Sequence, residues 1–325
     1  MNRSASDLNI PTVSVVIPLY NKGEYIERAL SSVLAQTHPV HEIIAVDDGS
    51  TDDGPDKVKE LAQTHSKIML ISQQNRGPGA ARNAGLANVK GKYVSFLDAD
   101  DEWMPAFLET GISLLEDTSA NVTVVWTGYH SYPSLKDSKT RKEDLGGIYQ
   151  FTAETDVSLV NKIVSFIWTC TTIMQTDIAK KSGGFFDRYK CLMGEDKYLF
   201  IKLLFNERFG IITEHLAIYH TEASDLWGNQ NGNMLTLEPF LEDPNDIINA
   251  CPSTTRHILR EHLLFWALNK AEMYAKIGQR RLATALLNRF IDSGFPYTKE
   301  VFKVQLLSKV APILTLARRA WLSIR

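Results

Sequence analysis

Within the first hundred residues, four short runs rich in Val, Ile and Leu, at 13–17, 42–46, 68–72 and 93–97, alternate with amphipathic stretches at 24–35, 55–64 and 79–89. Continuous apolar runs of this kind are the mark of strands buried on both faces, because the helices of β-α-β crossovers cover a parallel sheet from both sides. The alternation predicts a Rossmann-type half built from right-handed crossovers. Ligands of such sheets bind in the crevice beyond the carboxyl ends of the strands. The polar residues gather at those ends, at 18–21, 47–52, 75–82 and 98–101, so four loops distant in sequence should converge on one crevice.

With 325 residues and 44% hydrophobic content, the chain can bury one large α/β core and a smaller second unit. A formal net charge of -3 supplies no basic field, and no zinc-finger spacing or other nucleic-acid motif is present, so nucleic acid is not an expected partner. Cys170, Cys191 and Cys251 are widely spaced, odd in number and without a CxxC, which fits a reducing compartment and neither a disulfide framework nor a thiolate metal site. Residues 1–11 lack the apolar core of a signal peptide, and no run reaches the ~20 apolar residues that cross a bilayer. The expected location is the cytoplasm, with contact to the inner face of the cell membrane at most peripheral.

Beyond residue 101, a strand is expected at 122–126 and an exposed loop at 131–147, which is rich in Lys, Asp and Ser. A block at 168–220 holds a strand at 171–175, a Gly183-Gly184 turn, a helix over 195–206 and a strand at 210–213. From residue 254 the spacing is helical: Ile258, His262, Phe265, Leu268 and Glu272 precede Gly278, and a second helix follows over 279–290. The final stretch sets Phe302, Leu306, Val310, Ile313, Ala317, Trp321 and Ile324 on one helical face, bent by Pro312. From Tyr297 onward six basic residues stand against one acid, Glu300. Such a tail either lies on anionic lipid or docks its apolar face on the protein. The expected division is a domain over 1–225, with a nucleotide-binding part near 13–101 and an acceptor part near 102–225, and a mainly helical extension over 226–325.

Asp98-Ala99-Asp100 closes the fourth strand and Asp101 follows, displaying carboxylates at the rim of the crevice. Hard oxygen ligands of this type suit Mg²⁺ or Mn²⁺ held jointly with phosphate oxygens, where the ion offsets charge on a departing diphosphate. A DxD alone is also a common surface triplet; its place after a buried strand favours the site. Asp47-Asp48-Gly49-Ser50-Thr51-Asp52 offers a carboxylate to a base or ribose, or caps the next helix as an ordinary Asp/Ser turn. Asn75-Arg76-Gly77-Pro78-Gly79-Ala80-Ala81-Arg82-Asn83 combines turn glycines with two arginines able to meet phosphate at a helix N-terminus, unless those arginines are simply solvated.

In this order, the segments Val13-Ser-Val-Val-Ile-Pro-Leu-Tyr-Asn21, Val46-Asp-Asp-Gly-Ser-Thr-Asp52, Asn75-Arg-Gly-Pro-Gly-Ala-Ala-Arg-Asn83 and Phe96-Leu-Asp-Ala-Asp-Asp101 resemble glycosyltransferase family 2, over roughly 13–224. The resemblance implies a GT-A fold, a mostly parallel Rossmann-like sheet flanked by helices, together with a nucleotide-sugar donor, a divalent cation and inversion at the anomeric carbon. It implies that Pro18, Tyr20 and Asn21 line the donor site, that Asp48 meets a uracil-type base, that Asp98 lies at the ribose or metal shell and that Asp100 binds metal. Gly194-Glu195-Asp196 is similar to the family's acidic motif, which makes Asp196 the catalytic base and places Glu195 beside the donor. The alternative for both acids is to favour the positive end of the helix that follows. Tyr219-His220-Thr221 resembles a late segment near the diphosphate but departs from it, with His220 and Glu222 where an arginine and a histidine are common. His220 is therefore assigned to metal or diphosphate against a structural alternative. Trp168 and Trp227 either stack on a sugar ring or fill the edge of a core.

Processive synthases similar to this family carry a QxxRW motif and membrane spans, and neither is found here, which favours transfer of one sugar per encounter to a saccharide or lipid-linked saccharide. Two rivals are a sugar-phosphate nucleotidyltransferase and a catalytically inactive nucleotide-sugar-binding module. The first would show a Gly-rich, basic loop after the first strand, where this chain has Pro18-Leu19-Tyr20-Asn21; the second is opposed by the retained Asp100 and Asp196.

Overall fold

The computed structural model describes residues 10–133, 145–223 and 236–295, with 299, 301, 303 and 304. The chain divides into two compact units at the boundaries 151/152, 161/162 and 230/231. The expected loop at 131–147 falls largely outside the described residues, as do Trp227 and nearly all of the basic C-terminal stretch.

The first unit is built on one sheet of nine strands. Strands β1 (Val13–Leu19), β2 (Glu42–Asp47), β3 (Ile68–Ser72) and β4 (Tyr93–Phe96) are joined through helices α1 (Ile26–Leu34), α2 (Gly54–Thr64) and α3 (Pro78–Asn88). They lie in the order β3-β2-β1-β4, all parallel, with Val15 opposite Ile43 and Ser95. Every residue of β2 and β4 is buried, as the unbroken apolar runs require. Helix α1 buries Ile26, Ala29, Leu30 and Val33, one stripe at helical spacing, against this sheet. Helix α3 lies close because it carries glycine: a Cβ on Gly85 would stand 2.3 Å from Val16 Cγ1, and one on Gly79 would stand 2.2 Å from the Phe186 carbonyl oxygen.

Past β4 the sheet becomes mixed. β5 (Glu102–Trp103), helix α4 (Phe107–Glu116), β6 (Val124–Tyr132), β7 (Gly147–Tyr149), helix α5 (Val157–Phe166), β8 (Thr172–Gln175), helices α6 (Thr176–Lys181) and α7 (Glu195–Asn206), and β9 (Phe209–His220) follow in sequence. β8 lies between β4 and β6, antiparallel to both, and β6 runs parallel to β9. β9 is long enough to pair with β7 at its start and with β5 near its end. That length brings His220 to the acidic loop after β4. Opposite Gly128 of β6 the register shifts by extra residues of β9, since Thr127 and Tyr129 pair with Ile212 and Ala217; a Cβ on Gly128 would stand 2.5 Å from His215 Cδ2.

The second unit contains α8 (Pro239–Glu242), α9 (Pro244–Ala250), α10 (Arg256–Lys276) and α11 (Arg280–Asp292). Helices α10 and α11 form a hairpin turned at Gly278, whose φ of 82° is the left-handed conformation that glycine adopts without a Cβ penalty. Leu259, Leu263, Ala267 and Ala271 are buried on α10, and Leu286, Leu287 and Phe290 on α11. Buried His262 meets Asn161 Oδ1 through Nδ1 at 2.6 Å. Among the described residues no helix is long and apolar enough to cross a membrane.

Candidate active site

The loops at the carboxyl ends of β1 to β4 are tied to one another. Asn21 stands at φ 51° and is held there from the β2 loop: its N–H donates to Ser50 Oγ at 3.1 Å, and its side-chain carbonyl accepts the Thr51 N–H at 2.8 Å. Asp52 accepts the Gly23 N–H at 2.7 Å. Asp48 is nearly sealed and accepts from the Gln73 amide at 2.8 Å, the Arg76 N–H at 2.9 Å and the Gly77 N–H at 2.8 Å. Its carboxylate thus fixes the turn into α3. Tyr20 and Arg76 are exposed, with Lys190 Nζ 5.7 Å over the Tyr20 ring, and Pro18 is half-buried opposite Val46.

Arg82 is the centre of the charged network. It is 4% exposed, donates from one guanidinium nitrogen to Asp98 Oδ1 at 2.6 Å and from the other to Glu195 Oε1 at 2.8 Å, and lies 5.3 Å from the Phe185 ring centroid. Burial alone would lower its pKa, but Asp98, Glu195 and Asp196 outweigh burial and hold it above its ordinary range. One guanidinium thus joins the loop after β4 to the start of α7, and Arg82 and Glu195 are themselves 113 residues apart in sequence. A single cation serves several carboxylates, and the surplus falls on Glu195: burial and Asp196 push it up to about 7 against the opposing pull of Arg82.

Asp196 stands half-buried in the first turn of α7, its Oδ2 accepting the Thr169 hydroxyl at 2.9 Å. Thr169 begins a short 3-10 turn (Thr169–Thr171), and its neighbour Cys170 accepts the Asp98 N–H at 3.3 Å and donates to Asp101 at 3.5 Å. Asp101 is 1% exposed, also accepts the His220 N–H at 2.9 Å, and is raised well above the carboxylate range by burial, Asp100 and Asp98. Asp100 is raised by burial and Asp98, while Lys22 opposes, its ammonium 3.1 Å from Asp100 Oδ2 and 2.6 Å from the Ala223 carbonyl. Arg28 donates to the Asp100 backbone carbonyl.

The structure brings together Asp98, Arg82, Glu195 and Asp196, with Asp100 linked to this group through the charge of Asp98. It places His220 differently from an open ligand, because its two ring nitrogens are met by Glu222 at 2.8 Å and Glu102 at 2.9 Å. Asp98, Asp101 and Cys170 also offer atoms within 4.8 Å of one another. A thiol is a soft ligand and a poor partner for a hard cation, and burial with Asp100 and Asp98 raises the Asp101 carboxyl well above its ordinary range. Asp98 and Asp100 have the oxygen chemistry that Mg²⁺ or Mn²⁺ takes, and the excess of carboxylate over cation in this corner is what a divalent ion would offset. An open cavity of about 480 Å³ bordered by Val89, Lys92, Gln175 and Lys180 lies at the opposite end of β4 and is remote from these groups.

Lys22, Arg28, Thr169 and Cys170 belong to the site and have no motif of their own. For Lys22 the signal is its place beside Asn21; the other three are set by topology. Trp168 packs with Tyr129 and Tyr219 at ring distances of 4.9 and 5.0 Å, next to Thr169.

Residues 14–183, a little over half of the chain, match the model of Glycosyl transferase family 2. A 189-residue stretch is 34% identical to an uncharacterized glycosyltransferase of Rickettsia prowazekii, covering 55% of each protein. The glycosyltransferase GlyA of Streptococcus pneumoniae is 37% identical over 120 residues, 37% of this chain and 17% of that protein. Thus the chain spans about half the length, or less, of the curated relatives it matches. Among solved structures, S. aureus TarS in complex with UDP superposes with a TM-score of 0.64 at 18% identity, over 92% of this chain and 90% of that one. The mannosyltransferase PcManGT from Pyrobaculum calidifontis, in complex with GDP-Man and Mn2+, gives 0.56 at 18% identity, over 95% and 88%. The fold is GT-A, and the chain belongs to glycosyltransferase family 2.

Proposed function

We propose that this protein is an inverting, non-processive glycosyltransferase that moves one sugar from a nucleoside-diphosphate donor to an acceptor hydroxyl. The observation that carries the reading is the Arg82 fork, which sets Asp98, at the end of a nucleotide-binding sheet, beside the Glu195-Asp196 pair. The donor lies across the carboxyl ends of β1 to β4, its nucleoside near Pro18, Tyr20, Asn21 and Asp48, and its diphosphate toward Arg76 and Arg82. A uridine nucleotide is the first choice, since TarS binds UDP; PcManGT, with GDP-Man, keeps guanosine as the second.

Asp98 and Asp100 would hold Mn²⁺ or Mg²⁺, which when bound would supply Lewis-acid stabilisation of the diphosphate. Asp196 accepts the proton of the acceptor hydroxyl as that oxygen bonds to the anomeric carbon, while the carbon–oxygen bond to the diphosphate breaks on the opposite face. One displacement inverts the configuration, and the proton ends on Asp196. Arg82 keeps Glu195 and Asp98 in register. His220, with Glu102 and Glu222, supports the acidic loop through Asp101. The acceptor is a saccharide or lipid-linked saccharide.

The test is a panel of nucleotide sugars incubated with the protein, Mn²⁺ and simple glycoside acceptors, with released nucleoside diphosphate as readout. Release from one donor supports the reading. Pyrophosphate from a sugar phosphate and a nucleoside triphosphate would instead make it a nucleotidyltransferase, and binding without turnover an inactive module.

A further inference from the structure

We infer that Thr169 is the positioning residue for the Asp196 base and that the 3-10 turn it begins locks that base to the acidic loop of β4. The inference rests on the assignment of Asp196 as base. It begins with the side chain's setting. Thr169 is 1% exposed, and its hydroxyl donates to Asp196 Oδ2 at 2.9 Å, so the donor itself is shielded from solvent. A half-buried aspartate at a helix start has several rotamers, and a hydroxyl fixed in a sealed turn selects one of them.

The turn is itself over-determined. The Trp168 carbonyl accepts three bonds, from the Thr171 N–H at 3.1 Å, the Thr171 hydroxyl at 2.9 Å and the Thr172 hydroxyl at 2.9 Å. The Trp103 indole N–H holds the Cys170 carbonyl at 2.6 Å, and the Cys170 thiol binds the Asp98 N–H and Asp101 on its other side. Adjacent residues of one rigid turn therefore grip the base and the loop of Asp98. Asp196 also feels the charges of Glu195 on its own helix and Arg82 on α3, but those act at the level of charge. Among the described residues, hydrogen bonds to its carboxylate come from Thr169 and from its own neighbour's N–H, Lys197, at 2.7 Å. Among the described residues, Thr169 is thus the hydrogen-bonding group outside α7 that sets the direction of the carboxylate.

Misplacing a base by about 1 Å costs rate on the order of 100-fold while leaving ground-state binding unchanged. The experiment is steady-state kinetics of T169V, T169S and T169A with the donor identified by the panel, alongside thermal midpoints and donor affinity by calorimetry. Removing the hydroxyl in T169V should lower kcat at least about tenfold while the KM for donor stays within about twofold, and T169S, which keeps the hydroxyl, should recover most of the rate. If T169V does not fold, the T169S to T169A rate ratio reads the hydroxyl alone, since both lack the methyl group. A T169V enzyme that turns over like wild type, or T169S and T169A equally impaired, overturns the inference. D196N separates the two layers: an active D196N removes the base assignment, whereas an inactive D196N with an unimpaired T169V removes only the role of Thr169.

Discussion

Replacing Arg82 by methionine deletes the cation between Asp98 and Glu195 while keeping a chain of similar length. Removal of one partner from a buried pair costs about 3–5 kcal/mol, because the remaining carboxylate is left without compensation. Here two carboxylates lose their partner, both guanidinium bonds are short, and contact with the Phe185 face is lost as well. For a unit of this size each kcal/mol moves the thermal midpoint by about 2–4 °C, so R82M should melt about 10 °C below wild type at pH 8. The loss should shrink at pH 5.5, where Glu195 can take up a proton and no longer needs a counter-charge. Circular dichroism melts at both pH values, with an R82M/E195Q double variant, make the test. The double variant should regain part of the midpoint at pH 8. A drop in R82M worth less than about 1 kcal/mol, or one independent of pH, would refute the claim that this guanidinium compensates buried charge.

Two further outcomes follow from the same network. Glu195 holds its proton up to about pH 7 in the folded protein against an ordinary value of 4.5, so the unfolded chain binds fewer protons between those values. Wild-type stability should therefore fall as pH rises through that window, by at most about 3 kcal/mol, and the fall should vanish in E195Q urea titrations. Lys22 sits on Asp100 where a divalent cation would bind, so K22M should tighten Mn²⁺ binding about tenfold in calorimetry without nucleotide, a gain of about 1.4 kcal/mol; unchanged or weaker binding refutes the competition.

The nucleotide half was legible because local and global signals coincide there. The run 68–72 is β3 to the residue, and the expected helix over 195–206 is α7. Those elements carry their burial in their own periodicity. β9 was expected only over 210–213 but extends from Phe209 to His220: Thr213-Glu214-His215 interrupts its apolar run, and its second half is held by β6 and β5, partners far away in sequence. β5 and β7, of two and three residues, are too short to carry any pattern and exist through pairing with β9. Their insertion, with β8 antiparallel beside β4, is topology that no window of sequence encodes.

The site divides in the same way. Carboxylates in motifs were visible, whereas their partners were not. Asp48 reads as a ligand for a base, and the structure shows its oxygens turned onto the Arg76–Gly77 backbone. His220 reads as a metal ligand, and Glu102 and Glu222 stand at its two nitrogens. Thr169 has no sequence signature at all, since a threonine becomes a positioning group only when a turn from elsewhere meets α7.

The central claim is that Asp196 takes the acceptor's proton beside a donor held by the β1–β4 loops. Its most direct measurement is the turnover of D196N with the active donor, paired with calorimetry of the same donor on the same sample. Product formation should fall by at least about 100-fold, on the scale of general-base contributions, with donor affinity unchanged. Turnover near the wild-type rate would contradict it.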